Sequence, residues 1–252
     1  MKEWITGRNP VYEVLKARKR HIFRLEIAEG TKTQGQLANI VHLAHQLHLP
    51  VTYIHRRQFD KTAENHQGIR LEVSQYPYAA LHDIFNQAQK QNEPPFILIL
   101  DTIQNPQNLG TLLRTAEAVG IHGVILPLAH AAGVTPAVVH ASAGATEHLL
   151  IAQSNLSQAI TTFKQAGIWV IGLEDSPQAQ PLQSTRLDIP LALVVGNEGE
   201  GLRSLTRKSC DLLLKLPMRG NIASLNAAVA GSIVLYAALQ ARQTALFSLQ
   251  PQ

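Results

Sequence analysis

The feature that most constrains this chain is the alternation of short apolar runs with helix-like segments after residue 95. The runs FILIL (96–100) and LALVV (191–195) contain no polar residue. Strands buried on both faces of a parallel sheet have this composition, and parallel strands need crossover connections, usually helices. We therefore predict an α/β domain. Its predicted strands are 96–100, 122–126, 168–172, 191–195 and 212–216, and its predicted helices are 109–119, 155–166, 201–210 and 226–241.

The first third of the chain shows a separate alternation that predicts a small α/β or α+β domain. The predicted helices are Val11–Ala17 and Leu37–Leu47, and the predicted strands are Arg24–Ala28, Val51–Ile54 and Ile69–Val73. The polar segment NQAQKQNEPP ends in two prolines, which is typical of the end of a linking helix. The resulting division is a first domain at 1–78, a linker at 79–95, a second domain at 96–243 and a tail at 244–252.

Composition limits the class of protein. The hydrophobic content is 45% and the charged content 16%, so a sizeable core is expected. Cys210 is the single cysteine, which excludes an internal disulfide and indicates a small buried residue. The first ten residues carry no apolar signal run, and the apolar stretch 227–239 is too short to span a bilayer. We expect a soluble, cytoplasmic protein.

Positive charge is concentrated in the predicted first domain. Residues 1–78 carry 12 Lys and Arg against 7 Asp and Glu, whereas the remaining residues carry 10 against 11. Charge alone fits a solvated helix face as well as a phosphate-binding surface. If the surface binds RNA, the candidate contacts are Lys16, Arg18, Lys19, Arg20, Arg24, Arg56 and Arg57.

A polar loop follows the first strand of the second domain. Asn108 is a candidate N-cap for a helix that begins at Leu109. Arg114 is expected to point about 150° away from the buried stripe of that helix. Taken alone, it is compatible with an ordinary surface arginine. The predicted stripe consists of Leu109, Leu112, Leu113, Ala116 and Gly120.

Two further polar, glycine-bearing loops follow later strands, namely GNEGEGL (196–202) and LPMRGNIASLN (216–226). Glu198 and Glu200 would repel a pyrophosphate, so the first loop suits a neutral or cationic ligand better than a nucleotide phosphate. A tight turn with solvated glutamates explains that loop equally well when it is taken alone. Ser224 or Asn226 is a candidate cap for the last helix. Ligands of parallel sheets bind at the carboxyl ends of strands, so three such loops predict one site.

Two other kinds of site are not supported. His42, His45 and His48 drift around a helix and have no carboxylate or cysteine partner, so no metal site is predicted. A serine hydrolase is not supported either, because the G-x-S-x-G turn is absent.

The segments NLGTLLR (108–114), VVGNEGEGL (194–202) and LPMRGNIASLN (216–226) resemble the three motifs of the SpoU, or TrmH, class of RNA ribose 2′-O-methyltransferases. GRNPVYEVLKA (7–17) and HQGIRLEV (66–73) resemble the small RNA-binding domain, similar to ribosomal protein L30e, of its RlmB branch. The resemblance covers roughly residues 4–240. It implies a SPOUT α/β fold with a trefoil knot, an L30e-like α/β domain before it, S-adenosylmethionine as cofactor, no metal, and a homodimer with the site near its interface.

The resemblance also implies roles for single residues. Gly196, Leu216 and Leu225 match positions whose backbone holds the cofactor, and Met218 lies beside them. After SLN, Ala227 and Ala228 stand where many relatives have Val and Ser. We expect a packing change there and no loss of activity. The polar set around the target ribose corresponds to Asn108, Arg114, Glu198, Ser224 and Asn226.

The expected reaction is methyl transfer to a ribose 2′-hydroxyl of structured RNA, with a guanosine of 23S rRNA as the first substrate to consider. Related two-domain enzymes modify tRNA or an rRNA adenosine, and the motifs do not distinguish these substrates. Two alternatives from other classes are an RNA-binding module without catalysis and a base-modifying S-adenosylmethionine transferase. A degenerate motif would favour the module, and the full motif set disfavours the base-modifying enzyme.

Overall fold

The computed structural model describes residues 2–60, 66–129, 131–222 and 224–248. The chain divides into two compact units. Unit 1 consists of Met1–Pro77 and Val134–His148, and unit 2 consists of Tyr78–Gly133 and Leu149–Gln252. The segment 134–148 therefore packs with the N-terminal residues, although its sequence lies between two strands of unit 2.

Unit 1 contains a four-stranded sheet in the order β1-β4-β2-β3. Strand β4 is antiparallel to β1 and β2, while β2 and β3 are parallel. The opposed residues Ile5, Leu71 and Leu25 are fully buried. Helices α1 and α2 also bury apolar residues, among them Val14 and Ile40. The strands are β1 (Lys2–Thr6), β2 (Ile22–Ala28), β3 (Val51–Ile54) and β4 (Ile69–Ser74), and the helices of the N-terminal segment are α1 (Arg8–Ala17), α2 (Gln36–Gln46) and α3 (Arg57–Asp60).

Unit 2 contains a seven-stranded parallel sheet in the order β7-β6-β5-β10-β8-β11-β9. Its strands are β5 (Phe96–Leu100), β6 (Gly123–Pro127), β7 (Ile151–Ser154), β8 (Trp169–Leu173), β9 (Gln180–Pro181), β10 (Leu191–Val195) and β11 (Leu212–Lys215). Its helices are α4 (Leu81–Gln91), α5 (Pro106–Ala118), α7 (Leu156–Gln165), α8 (Ser204–Ser209) and α9 (Ala227–Ser248), and helix α6 (Pro136–Ala141) belongs to unit 1.

The two central strands explain why the sheet is covered on both faces, because every residue of β5 and β10 is buried. On one face, Ile97 and Val194 share a core cluster with Ile160 and Phe163 of α7. On the other face, α9 approaches β10 and α5 closely at Gly231. A Cβ atom there would lie 2.6 Å from a methyl carbon of Leu112, so any larger residue would force that side chain to move.

The prediction of an α/β fold with a parallel sheet and a separate N-terminal sheet unit is confirmed. The trefoil knot stays a prediction. The sequence patterns missed three of the described strands, namely β1, β7 and the two-residue β9. Strand β7 has a four-residue pattern of two buried residues followed by two more exposed ones, which is too short for a periodicity signal.

Two details of α5 correct the sequence-based expectations. The helix begins at Pro106 and not at Leu109, and its N-cap is Asn105, whose side chain accepts a hydrogen bond from Gln107 N at 2.8 Å. Proline at the first helical position favours this earlier start. Gly120, which the helical spacing places in the buried stripe, is exposed and follows the end of the helix at Ala118. The other four stripe residues are fully buried.

Candidate functional site

A pocket of about 460 Å³ lies at the carboxyl ends of β8, β10 and β11 in unit 2. Its walls come from the segments that follow these strands, including loop 196–202 and loop 216–226. All four predicted cofactor positions line it, namely Gly196, Leu216, Met218 and Leu225. Ser224 and Glu198 line it as well.

The glycine at position 196 allows two stretches of backbone to touch. A Cβ atom there would lie 2.3 Å from the carbonyl oxygen of Gly201, which no side chain can tolerate. Asn197 and Gly201 exchange backbone hydrogen bonds of 3.1 and 3.0 Å, so the loop closes as a tight hairpin. The loop therefore has a defined shape that presents Glu198 at its tip.

Three polar side chains, one from the first turn of α5 and two from the loops of the pocket, form one hydrogen-bonded cluster. Oε2 of Glu198 accepts hydrogen bonds from Nδ2 of Asn108 at 3.0 Å and from Nδ2 of Asn226 at 2.9 Å. Asn226 Nδ2 also donates to Asn108 Oδ1 at 3.0 Å. We call Asn108, Glu198 and Asn226 the polar cluster. It ties the beginning of α5 to both loops of the pocket.

Asn226 has a second task, because it caps the last helix. Its Oδ1 accepts hydrogen bonds from the backbone N–H groups of Ala228 at 2.9 Å and Val229 at 3.3 Å. The N-cap role predicted for Ser224 or Asn226 thus belongs to Asn226. Ser224 is exposed at the pocket wall and has no side-chain hydrogen bond to the described part of the chain.

Arg114 lies on the exposed side of α5, as its helical position predicts. It is six residues after Asn108, which corresponds to about 9 Å along the helix axis. Within the residues that the structure describes, its guanidinium makes no hydrogen bond or ion pair with Asn108, Glu198 or any other group. The guanidinium is therefore available to an external anion.

The pocket contains four carboxylates, from Glu174, Asp175, Glu198 and Glu200, against the two cations of Arg207 and Lys215. An excess of negative charge favours a cationic ligand over a phosphate. Among the described residues, no group of three or more potential metal ligands is present. Cys210 is not a nucleophile candidate, because burial raises the pKa of its thiol to about 12.

Sequence reasoning missed two acidic residues that directly follow buried strands. Asp101, after β5, is fully buried and accepts hydrogen bonds from Arg203 Nε at 2.6 Å and Arg203 N at 3.0 Å. This contact anchors the end of loop 196–202. Glu174, after β8, lies in the pocket wall. An acidic residue immediately after an apolar strand is the signal that could have identified both.

The predicted RNA contacts of unit 1 fall into several environments. Lys16 and Arg18 are exposed just before β2, and Arg56 and Arg57 are exposed just after β3. Because β2 and β3 are parallel, these two pairs lie at opposite ends of the sheet. Arg24 is half exposed and contacts Glu26 and Glu72 at 3.3 and 3.1 Å.

Arg20 corrects the predicted RNA set. Its side chain is fully buried and bound to Glu147 and Glu3, so it offers no charge to solvent. Lys19 is partly buried and donates a hydrogen bond to the Tyr76 hydroxyl at 2.6 Å. Burial lowers the pKa of Lys19 to about 8. Clustering in sequence therefore did not produce one exposed cluster in the structure.

Family models match two parts of the chain. A model of the SpoU rRNA Methylase family matches residues 95–236, and a model for RNA 2′-O ribose methyltransferase substrate binding matches residues 4–79. YacO of Bacillus subtilis, named as a TrmH family tRNA/rRNA methyltransferase, is 40% identical over 236 residues, which cover 93% of this chain and 94% of that protein.

A second relative is the 23S rRNA (guanosine-2′-O-)-methyltransferase RlmB of Pseudomonas putida, 35% identical over 96% of this chain and 97% of that protein. Among solved structures, the SpoU methyltransferase AviRb of Streptomyces viridochromogenes, in complex with AdoMet, aligns with a TM-score of 0.79 and 23% identity. The alignment covers 96% of this chain and 91% of that one, and it shows a shared fold.

Proposed function

We propose a reaction for this chain, which belongs to the SpoU rRNA methylase family: methyl transfer from S-adenosylmethionine to a ribose 2′-hydroxyl of structured RNA. The family makes the chain an S-adenosylmethionine-dependent RNA methyltransferase. The proposal adds the acceptor atom, the residues and the substrate. We propose a guanosine of 23S rRNA as the first substrate and the cytoplasm as the location.

The polar cluster beside the acidic pocket is the observation that supports this reaction best. The pocket suits a cationic sulfonium ligand, and the backbone of Gly196, Leu216 and Leu225 together with Met218 would hold it. S-adenosylmethionine would supply an activated methyl group there. The polar cluster then fixes the loops on which the acceptor ribose must rest. Ser224, at the same wall, is available as a hydrogen-bonding group for that ribose.

Arg114 would bind and orient the RNA at the reacting nucleotide. A guanidinium is not a general base, because its pKa keeps it protonated in proteins. Its planar fork matches a phosphate, and in this structure no described residue occupies it. Bound to the phosphate next to the target ribose, Arg114 would hold the 2′-hydroxyl in line with the methyl group. The polar cluster positions the loops without contacting Arg114.

Unit 1 would supply much of the RNA affinity. Four exposed cations without a charged partner among the described residues, Lys16, Arg18, Arg56 and Arg57, lie at the two ends of its sheet. Phosphate contacts of this kind make binding depend strongly on salt. Replacing Arg56 and Arg57 by alanine should therefore weaken RNA binding. It should also reduce the slope of the logarithm of the binding constant against the logarithm of salt concentration by about two.

A second copy of this chain is the proposed partner of α9. Val229, Ile233 and Tyr236 are spaced to share one face of that helix, and they are 48%, 42% and 49% exposed. The spacing places an apolar stripe beside the N-terminus of α9, which Asn226 caps within the polar cluster. A homodimer through this stripe would cover it and bring both sites close to the interface.

The names of the relatives keep two substrate classes open. The Pseudomonas putida relative is named for a 23S rRNA guanosine, and the Bacillus subtilis relative for tRNA or rRNA. The alternative substrates are a tRNA, which the second name includes, and an rRNA adenosine, which the resemblance to two-domain enzymes implies. A non-catalytic RNA-binding module is the alternative from another class, and the intact polar cluster speaks against it.

The deciding experiment is transfer of labelled methyl from S-adenosylmethionine to total RNA of the source organism, with Glu198→Ala, which removes the acceptor of the polar cluster, as the inactive control. The methylated site is mapped by resistance to alkaline cleavage, which a 2′-O-methyl group confers. Label at one 23S rRNA guanosine supports the full proposal, and label in tRNA or at adenosine changes the substrate alone. Label on a base, or cofactor binding without transfer to any RNA fraction, contradicts the proposed reaction.

A further inference from the structure

Glu174 is a pocket residue that lies outside the three family motifs. It directly follows strand β8, and its backbone N–H donates to the carbonyl oxygen of Leu214 in β11 at 2.9 Å. The backbone of Glu174 is therefore held at the carboxyl end of β8 by its hydrogen bond to the neighbouring strand β11. Its side chain is 12% exposed and lines the pocket.

Arg207 of α8 holds this carboxylate in one orientation. The Nε of Arg207 lies 2.8 Å from Oε1 and 2.9 Å from Oε2 of Glu174. The Nη2 of Arg207 also donates to the carbonyl oxygen of Leu202 at 3.4 Å. The same guanidinium thus connects Glu174 to the end of loop 196–202. A carboxylate has about four acceptor positions, so positions remain after this contact.

The other pocket carboxylates are in different situations. Glu198 is occupied by Asn108 and Asn226, and Asp175 and Glu200 are exposed to solvent. Glu174 combines low exposure, a fixed orientation and free acceptor positions. Its charge is largely balanced by Arg207, so it offers little net attraction to a cation. It still offers strong acceptors to neutral hydroxyl donors.

We propose that Glu174 accepts hydrogen bonds from the ribose hydroxyls of the adenosine portion of the cofactor, and that Arg207 is its positioning residue. The inference rests on the proposed placement of S-adenosylmethionine in this pocket. An acidic residue that binds nucleoside ribose hydroxyls at the carboxyl edge of a parallel sheet is an established solution in dinucleotide-binding folds. Glu174 would select a ribonucleoside, whereas the backbone of the pocket loops would hold the rest of the cofactor.

The test uses 5′-methylthioadenosine, which keeps the adenosine and lacks the sulfonium, the ammonium and the carboxylate. Calorimetry compares this probe with its 2′-deoxy and 3′-deoxy analogues on the wild-type protein and on Glu174→Ala. Loss of a hydrogen bond to a charged group should weaken wild-type binding by about ten- to a hundredfold for at least one analogue. Glu174→Ala should bind 5′-methylthioadenosine more weakly than the wild type does, by a similar factor. On this variant, removal of the same hydroxyl from the probe should change the affinity by less than about twofold.

Asp188→Asn is the matched control, because it removes a carboxylate from an exposed arginine pair outside the pocket wall. It should bind every probe as the wild type does. If Glu174→Ala unfolds, Glu174→Gln, which keeps the size of the side chain and removes its charge, takes its place in the same comparison.

Equal binding of all three probes to the wild type would overturn the inference. So would a variant that weakens S-adenosylmethionine but not 5′-methylthioadenosine, because Glu174 would then contact the cationic part. If the wild type binds S-adenosylmethionine normally in either case, the proposed function stands. If it binds neither compound, the pocket assignment fails and this inference with it.

Discussion

Arg20 and Glu147 form a fully buried ion pair in unit 1, with 2.9 Å between Arg20 Nη2 and Glu147 Oε1. Arg20 Nε also donates to both carboxylate oxygens at 3.1 Å. Nearby, the Tyr76 hydroxyl donates to the carbonyl oxygen of Thr146 at 3.0 Å. These contacts hold segment 134–148 to the N-terminal residues, although the family model for the methylase region includes that segment.

Glu147→Ala should destabilise unit 1, because it leaves the buried Arg20 guanidinium without its main partner. Breaking a buried pair in this way costs about 3–5 kcal/mol. Trp4 and Trp169 are the two tryptophans, one in each unit, so a Trp169→Phe background makes Trp4 fluorescence a reporter of unit 1. Denaturant unfolding of this background with and without Glu147→Ala measures the loss.

The exposed pair Arg186–Asp188 provides the control for that experiment. Its contact distance of 2.9 Å resembles that of the buried pair, but it lies in unit 2 and its arginine side chain is 76% exposed. Asp188→Asn should leave the unfolding of unit 1 unchanged. If Glu147→Ala lowers the free energy of unfolding by less than about 1 kcal/mol, the prediction is wrong, because Arg20 would then be reached by water as in an exposed pair.

Lys19 should make the stability of unit 1 depend on pH in the alkaline range. Burial lowers its pKa from 10.5 to about 8 in the folded protein. Between these values the unfolded chain binds more protons than the folded one, so the contribution of Lys19 to the free energy of unfolding rises with pH. The free energy of unfolding of Lys19→Met should thus compare most favourably with that of the wild type below pH 8. That advantage should shrink from pH 8 to 10.5, and a constant difference would contradict the lowered pKa.

Asn226→Asp separates the two tasks of this residue. Aspartate caps a helix as well as asparagine does, so the helical role is kept. The Nδ2 donor becomes an oxygen that faces Glu198, where the contact is 2.9 Å in the wild type. We expect a drop in methyl transfer of about a hundredfold, with partial recovery at lower pH as one carboxyl group takes up a proton.

Asn155→Asp is the matched control for Asn226→Asp, since Asn155 caps α7 and does not line the pocket. It should retain activity at every pH. Comparable activity of the two variants in the transfer assay would show that the polar cluster does not require the Asn226 donor.

Arg114→Lys should retain RNA affinity within about threefold and lose most turnover. Lysine keeps the charge but lacks the planar fork that binds a phosphate through two parallel hydrogen bonds. Filter binding and single-turnover transfer measure the two quantities separately. Arg186→Lys, an exposed change away from the pocket, is the control. Full turnover in Arg114→Lys would exclude an orienting role for the guanidinium.

Ile233→Asp should convert the proposed dimer to a monomer, because it places a charge in the apolar stripe of α9. Leu205→Asp is the control, since Leu205 is 64% exposed on α8, outside the stripe. Light scattering over a range of concentrations reports the mass of each variant. A wild-type protein that is monomeric at all concentrations would contradict the proposed dimer.

The local pattern of apolar and polar residues predicted many helices and strands with bounds close to those observed. The predicted strands Val51–Ile54, 96–100 and 191–195 agree with β3, β5 and β10. An unbroken apolar run flanked by polar or proline residues contains all the information that such a prediction needs. The three polar loops were located for the same reason, because each directly follows a recognisable strand.

What the sequence by itself determined is therefore the series of apolar strands and helices, the positions of the polar loops and the family motifs within them. Only the tertiary structure decided which distant groups pair. Asp101 contacts Arg203 across 102 residues, and Arg20 contacts Glu147 across 127. The partner of a charged side chain depends on how the whole chain closes. Periodicity describes a few neighbouring residues, and it cannot distinguish a buried pair such as Arg20–Glu147 from an exposed RNA contact.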